Sequence, residues 1–161
     1  MNVLVAIDNF QSEQIALHKA LRLITHQGTA FTLLSVEEPM APTMVSDLPG
    51  VFGTEPLMEM QSQAEIVRME DARTSAALDQ AIKVCQQAGV QTTSRMEWGD
   101  PKHTICQVAK EINCDLIVVG SHGYGVIERV LLGSVSDYVV HHAHCPVLVV
   151  RDDNSSEKNP S

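Results

Sequence analysis

The sequence predicts an α/β domain: an open, five-stranded parallel sheet with helices on both faces. Three observations lead there. Short continuous apolar runs rich in β-branched residues alternate with stretches of helical period. Their order, β-α-β-α-β-α-β-α-β, is that of parallel strands joined by crossover helices. The chain has 161 residues, 44% hydrophobic and 19% charged, which suits one core able to bury about 70% of the unfolded surface.

The first, second, fourth and fifth strands are expected at 3–7, 31–36, 116–119 and 147–150. Each is too short for a helix and predominantly apolar, with Thr32 and Ser35 of the second the exceptions, as in a strand covered on both faces. The third, 90–98, differs. Val90, Thr92, Ser94, Met96 and Trp98 alternate with Gln91, Thr93, Arg95 and Glu97, a half-buried pattern suited to a sheet edge. Apolar stripes at helical spacing run through Leu17, Ala20, Leu21 and Ile24, through Leu78, Ala81, Ile82 and Cys85, and through Ile105, Val108, Ala109 and Ile112. Gly28 and Gly89 read as stops for the first two helices, and Asp100 with Pro101 as the cap and first residue of the third. A last helix should begin near Gly133, turn Val135, Tyr138 and Val139 inward, and end before Pro146.

Two segments stand outside this alternation. Residues 38–56 hold four of the seven prolines together with Met40, Met44 and Phe52, and read as a flap or interface loop. Residues 152–161 are polar and read as a flexible tail, leaving 1–151 as a single domain.

Composition excludes several classes of partner. Eleven Lys and Arg against twenty Asp and Glu give a net charge of -9, and the basic residues do not cluster, so neither nucleic acid nor a membrane surface is an expected partner. No apolar stretch reaches the roughly 18 residues needed to cross a bilayer, and the chain opens on a strand-like run; the expectation is a soluble, cytoplasmic protein. Cys85, Cys106, Cys114 and Cys145 are far apart in sequence with no C-x-x-C pair, and are expected to be reduced and mostly buried. His141, His142, His144 and Cys145 look like metal ligands, but neighbouring helical residues point about 100 degrees apart and cations favour a helix C-terminus. Helix capping is the preferred reading, and no metal site is expected.

Chemistry is concentrated after the fourth strand. Four of the nine glycines, Gly120, Gly123, Gly125 and Gly133, fall within 14 consecutive positions, and Ser134 opens the final helix. Glycines let backbone N–H groups approach a ligand, and a helix N-terminus adds free donors and about half a positive charge. The combination suits an anion, most naturally phosphate. A Walker-type loop is excluded because Val126 and Ile127 follow Gly125, and the dinucleotide G-x-G-x-x-G fails because Glu128 stands where its third glycine belongs.

The spacing present, Gly120-x2-Gly123-x9-Gly133-Ser134, behind a buried strand and ahead of an apolar run to Val150, resembles the ATP-binding branch of the universal stress protein family. The likeness covers nearly the whole chain, including a first strand ending Ala6-Ile7-Asp8 and a second ending at Val36. It implies a Rossmann-like, adenine nucleotide alpha hydrolase-like sheet of order 3-2-1-4-5, with ATP across the ends of strands 1 and 4. Gly120, Gly123, Gly133 and Ser134 would then hold ribose and phosphates, Asp8 would lie beside the adenosine and Val36 would border the adenine. Ala6, Ser121, His122, Gly125, Val135 and Ser136 complete the candidate nucleotide contacts. The first loop departs from the family pattern, since Asn9 and Phe10 follow Asp8 and the next hydroxyl is Ser12. Asp8 reads equally as a helix cap; His122 as a phosphate donor or a solvated ring; Arg129 as a phosphate contact or an exposed ion pair.

The resemblance implies a nucleotide-dependent regulatory module: a stress-response or signalling protein holding ATP, AMP or another adenine nucleotide, with Mg or Mn on the phosphates, and reporting to a protein partner not identified by sequence. The alternatives are a weak ATPase or phosphotransferase and a structural dimer without nucleotide. Efficient phosphoryl transfer is not expected, because only Asp8, His122 and Arg129 could serve it. The resemblance also implies a homodimer paired through the fifth strand. Four consecutive apolar residues, Val147 to Val150, would otherwise leave a sheet edge open to uncontrolled pairing.

Overall fold

The computed structural model describes residues 1–7, 11–24, 27–39, 55–121 and 132–151. The elements follow in the expected order: β1 (Asn2–Ala6), α1 (Gln11–Ile24), β2 (Ala30–Glu37), α2 (Glu55–Gln87), β3 (Gln91–Trp98), α3 (Pro101–Glu111), β4 (Leu116–Gly120), α4 (Ser134–His142) and β5 (Val147–Val150). All strands are parallel and the sheet order is β3-β2-β1-β4-β5. The fold is therefore the Rossmann-like one that the resemblance implies.

Alternation along each strand divides the core into two layers. Val3, Val5, Ile7, Phe31, Leu33, Val118 and Val150 point to the side covered by α1 and α2, through Leu17, Leu21, Leu78 and Cys85. Leu4, Leu34, Ile117 and Val119 point to the other side, under α3 and α4, through Ile105, Val108 and Val139. Burying both faces is what favours near-continuous runs of Val, Ile and Leu, with Thr32 and the buried Ser35 of β2 as polar exceptions.

The helix ends obey local rules. Gly28 and Gly89 adopt positive φ, +79° and +70°, where only glycine is free of strain. At the end of α2 the Val90 N–H donates to the Cys85 carbonyl at 3.0 Å and Gly89 N–H to Gln86 at 3.0 Å, closing the turn around that glycine. The same device ends α3 without glycine. Asn113 takes φ +49°, with Cys114 N–H donating to Ala109 at 3.0 Å. At its start, the Asp100 side chain accepts from the Lys102 N–H at 3.1 Å, with Pro101 in the first turn.

Two expectations change. Helix α2 begins at Glu55 and runs 33 residues, so Glu55 and Pro56 belong to it and not to the flap read at 38–56; proline is at home in a first helical turn, where it gives up no hydrogen bond. Residues 40–54 of that flap and the tail 152–161 lie outside the described residues. The apolar side of β3 is not buried at its far end: Met96 is 38% and Trp98 57% exposed. As the outermost strand, β3 has a neighbour on one side only, and its formally polar side holds the half-buried Arg95, paired at 3.1 Å with Glu111 of α3. Among the described residues no helix is long and apolar enough to cross a membrane.

Candidate functional site

Strand order reverses between β1, whose next strand in sequence lies on one side, and β4 on the other. The crevice beyond the carboxyl ends of these strands is where open α/β sheets take ligands. Ala6 ends β1 and Gly120 ends β4, in the two central strands joined by the pairing of Val5 with Val118. Val36 lies near the end of β2, and Ala6, Val36 and Val135 all pack against the core layer under α3 and α4.

Beyond Gly120 the backbone is fixed from two directions. Ser121, buried, donates its N–H to the Val150 carbonyl at 2.8 Å, extending the β4–β5 pairing by one bond. Its carbonyl accepts the Gly133 N–H, also at 2.8 Å, so the two glycine-bearing segments meet although 12 residues separate them. The Ser136 hydroxyl lies 3.1 Å from the Ser121 carbonyl and 3.0 Å from that of Gly133, with its single hydrogen shared between them. Ser136 is 2% exposed, and this buried hydroxyl clamps the start of α4 to the end of β4.

Gly133 is the cap of α4, with φ -65° and ψ 157°, and supplies no side-chain acceptor. Its carbonyl receives the Asp137 N–H at 2.9 Å, the first bond of the helix. The N–H groups of Ser134, Val135 and Ser136 precede that bond and have no carbonyl behind them within the helix. They are donors for an anion. Asp137, in the same turn, could oppose one, but its carboxylate lies 3.8 Å from the His141 ring, one turn further along and away from the helix start.

The structure thus brings together Ser121, Gly133 and Ser136 by hydrogen bonds, with Gly120 preceding Ser121 at the end of β4 and Ser134 and Val135 in the first turn of α4, and sets Ala6 and Val36 on neighbouring strand ends. Asp8, His122, Gly123, Gly125 and Arg129 lie outside the described residues. The described site offers backbone donors, the exposed Ser134 and apolar walls. Sequence reasoning included Ser136 as a ligand contact, whereas its hydroxyl is engaged with backbone. The clamp itself left no signal beyond two serines, Ser121 and Ser136, in a glycine-rich stretch.

The capping expectation holds for two of the three histidines. His141 and His142 donate through Nδ1 to the carbonyls of Asp137 and Tyr138, each at 2.8 Å, and so complete the last turn of α4. His144 lies beyond the helix end at Ala143 and takes no part in this.

An open parallel sheet of this strand order, with helices on both faces, defines a Rossmann-like fold. Comparison with known proteins narrows the class: the model of the universal stress protein family matches residues 1–151, and the chain belongs to that family. A Staphylococcus aureus relative named for the family is 30% identical over 154 residues, 94% of this chain and 84% of its own. A universal stress protein A-like protein of Arabidopsis thaliana is 38% identical over 80 residues, half of this chain and 45% of its own length. Among solved structures, the universal stress protein UspA of Lactobacillus plantarum superposes with a TM-score of 0.73 at 29% identity, covering 94% of this chain and 97% of that one. A family member from Arabidopsis thaliana with AMP bound gives a TM-score of 0.63 at 23% identity, covering 100% and 98%. A universal stress protein in complex with cAMP gives 0.64 at 22%, covering 93% and 95%.

Proposed function

We propose that this chain is an adenine nucleotide-dependent regulatory module, binding ATP or AMP across the carboxyl ends of β1 and β4 and signalling its nucleotide state to a protein partner in the cytoplasm. The observation that carries the reading is the clamp: Gly133 and Ser121 joined at 2.8 Å set the unpaired N–H groups of α4's first turn beside the end of β4. Phosphates would lie on those donors, the adenine against Val36, and Asp8, His122, Gly123 and Gly125 would close the site from the intervening loops. Mg or Mn would bind through the phosphates. The AMP and cAMP complexes of structural neighbours support an adenine nucleotide as the ligand class.

Regulation would be exerted as a dimer paired through β5, whose four apolar residues occupy a sheet edge. Mass spectrometry of small molecules released on denaturing the purified protein tests the proposal: an adenine nucleotide near one per chain is expected. Release of nothing, with no binding of added ATP or AMP at millimolar concentration, would overturn it.

A further inference from the structure

The amino ends of β4 and β5 hold a second group of chemically active side chains, at the opposite end of the sheet from the nucleotide site. Cys114 precedes β4 and Cys145 precedes β5. The two strands are neighbours in a register that pairs Ile117 with Val147, so residues two or three positions upstream are brought side by side. The Ile117 N–H donates to the Pro146 carbonyl at 3.0 Å and fixes this register at its first step. On the Cys114 side, the left-handed Asn113 turns the chain sharply out of α3. The sulfurs of Cys114 and Cys145 lie 3.5 Å apart, and a ring nitrogen of His144 joins them, the three ligand atoms all within 4.8 Å of one another.

We infer that Cys114, Cys145 and His144 form a binding site for one thiophilic divalent cation of the zinc class. Two sulfurs and one imidazole nitrogen are the donor set of such ions, and three protein ligands leave the fourth tetrahedral position for water or another ligand. The dimensions agree. Zinc–sulfur bonds of about 2.3 Å at the tetrahedral angle put two sulfurs about 3.8 Å apart, so the observed pair needs to open by only a few tenths of an ångström. Exposure is graded as access requires: Cys114 is buried, Cys145 half-buried and His144 exposed. A cation can enter from the histidine side and reach the buried thiol last.

A disulfide is the competing use of the pair. It would require the sulfurs to close from 3.5 Å to about 2.05 Å, and it leaves His144 without a role. A cation uses all three side chains, as their two-sulfur, one-nitrogen geometry allows.

The experiment is a titration of the full-length, reduced, chelator-treated protein with Co(II) as an optical probe, followed by displacement with Zn(II), in buffer free of nucleotide. One equivalent of Co(II) should produce a thiolate-to-cobalt charge-transfer band that Zn(II) abolishes. Cys145→Ser should remove the band, His144→Gln should weaken affinity by at least an order of magnitude, and Cys85→Ser, deep in the other core layer, should leave it unchanged. Cys114→Ser should also remove it where circular dichroism shows the variant folded; the two exposed-side variants decide the matter where it does not. Absence of the band in the reduced wild type, its persistence in Cys145→Ser, or loss of two hydrogens from the intact mass under mild oxidation together with no Co(II) binding would each overturn the assignment.

Discussion

At the carboxyl ends of β4 and β5 the groups presented to a ligand are backbone N–H donors, held by the Ser121–Gly133 and Ser136 hydrogen bonds. At the amino ends of the same two strands they are side-chain atoms, two sulfurs and an imidazole. The first end writes itself into the sequence as a run of glycines, because backbone donors work only where side chains stand aside. The second writes only the adjacent His144 and Cys145, because Cys114 comes from another loop and meets them only through strand register. One pair of strands thus carries two kinds of site, and the kind decides how visible each is.

The largest expected effect concerns the strand that both ends share. Val147, Leu148 and Val149 are half-buried in the described chain, on an edge that needs cover. The proposed two-fold dimer, pairing β5 with its copy, would supply that cover through an isologous interface. Val149→Lys or Leu148→Lys, whichever faces the partner, should convert the dimer to monomer or aggregate in light scattering. A stable wild-type monomer at micromolar concentration would break this part of the account and leave the edge to other segments.

A smaller effect separates the two ends. Ser136→Ala removes the hydroxyl that bridges Ser121 and Gly133 and should cost about 1 kcal/mol of stability in urea denaturation. It should also weaken nucleotide binding, while leaving the Co(II) band at the far end intact. Equal loss at both ends would mean that β4 transmits strain along its length and that the ends are not independent.

The smallest effect is an acid sensitivity belonging to neither end. At Asp100 desolvation raises the carboxyl, but hydrogen bonds from Lys102 and His103 outweigh it and hold it below its ordinary value. Glu111 is held low by the hydrogen bond from Gln107 and then by Arg95. Both pKa values are lower folded than unfolded. Their stabilisation is therefore present above the ordinary carboxylate range and is lost as pH falls through it, from about pH 4.5 downward. Urea midpoints should be flat from pH 6 to 8 and decline on acidification; a midpoint rising toward acid would contradict the sign.

Most of the sheet could be read from the chain because each strand is an apolar run with its own punctuation: Gly28, Gly89, Asp100 and Pro101 mark boundaries by local backbone rules. Helix α2 was legible only in its second half. The stripe from Leu78 to Cys85 packs on the sheet, whereas Glu65, Arg68 and Met69 of the earlier turns are exposed. Met96 and Trp98 misled in the other direction, since alternation foretells which residues share a face and not whether anything covers it. At the candidate nucleotide site Gly120, Gly133 and Ser134 were visible as residue types at a spacing. The positioning task of Ser136 was not, because a buried hydroxyl bonding two carbonyls depends on a contact across 15 residues. The meeting of Cys114 with Cys145, 31 residues apart, needed the register of β4 with β5.

The central claim is that α4's first turn receives a nucleotide phosphate, and a thermal-shift comparison of wild type with Gly133→Val tests it most directly. Gly133 has φ -65°, a conformation any residue adopts, so the variant should fold and its change is confined to a β-branched side chain in the path of the phosphate. ATP or AMP at 100 times its dissociation constant should stabilise the wild type by about 2.7 kcal/mol, and the variant should show no shift at the same concentration. An equal shift in both proteins would contradict a phosphate on the α4 donors, and no shift in either would contradict nucleotide binding altogether.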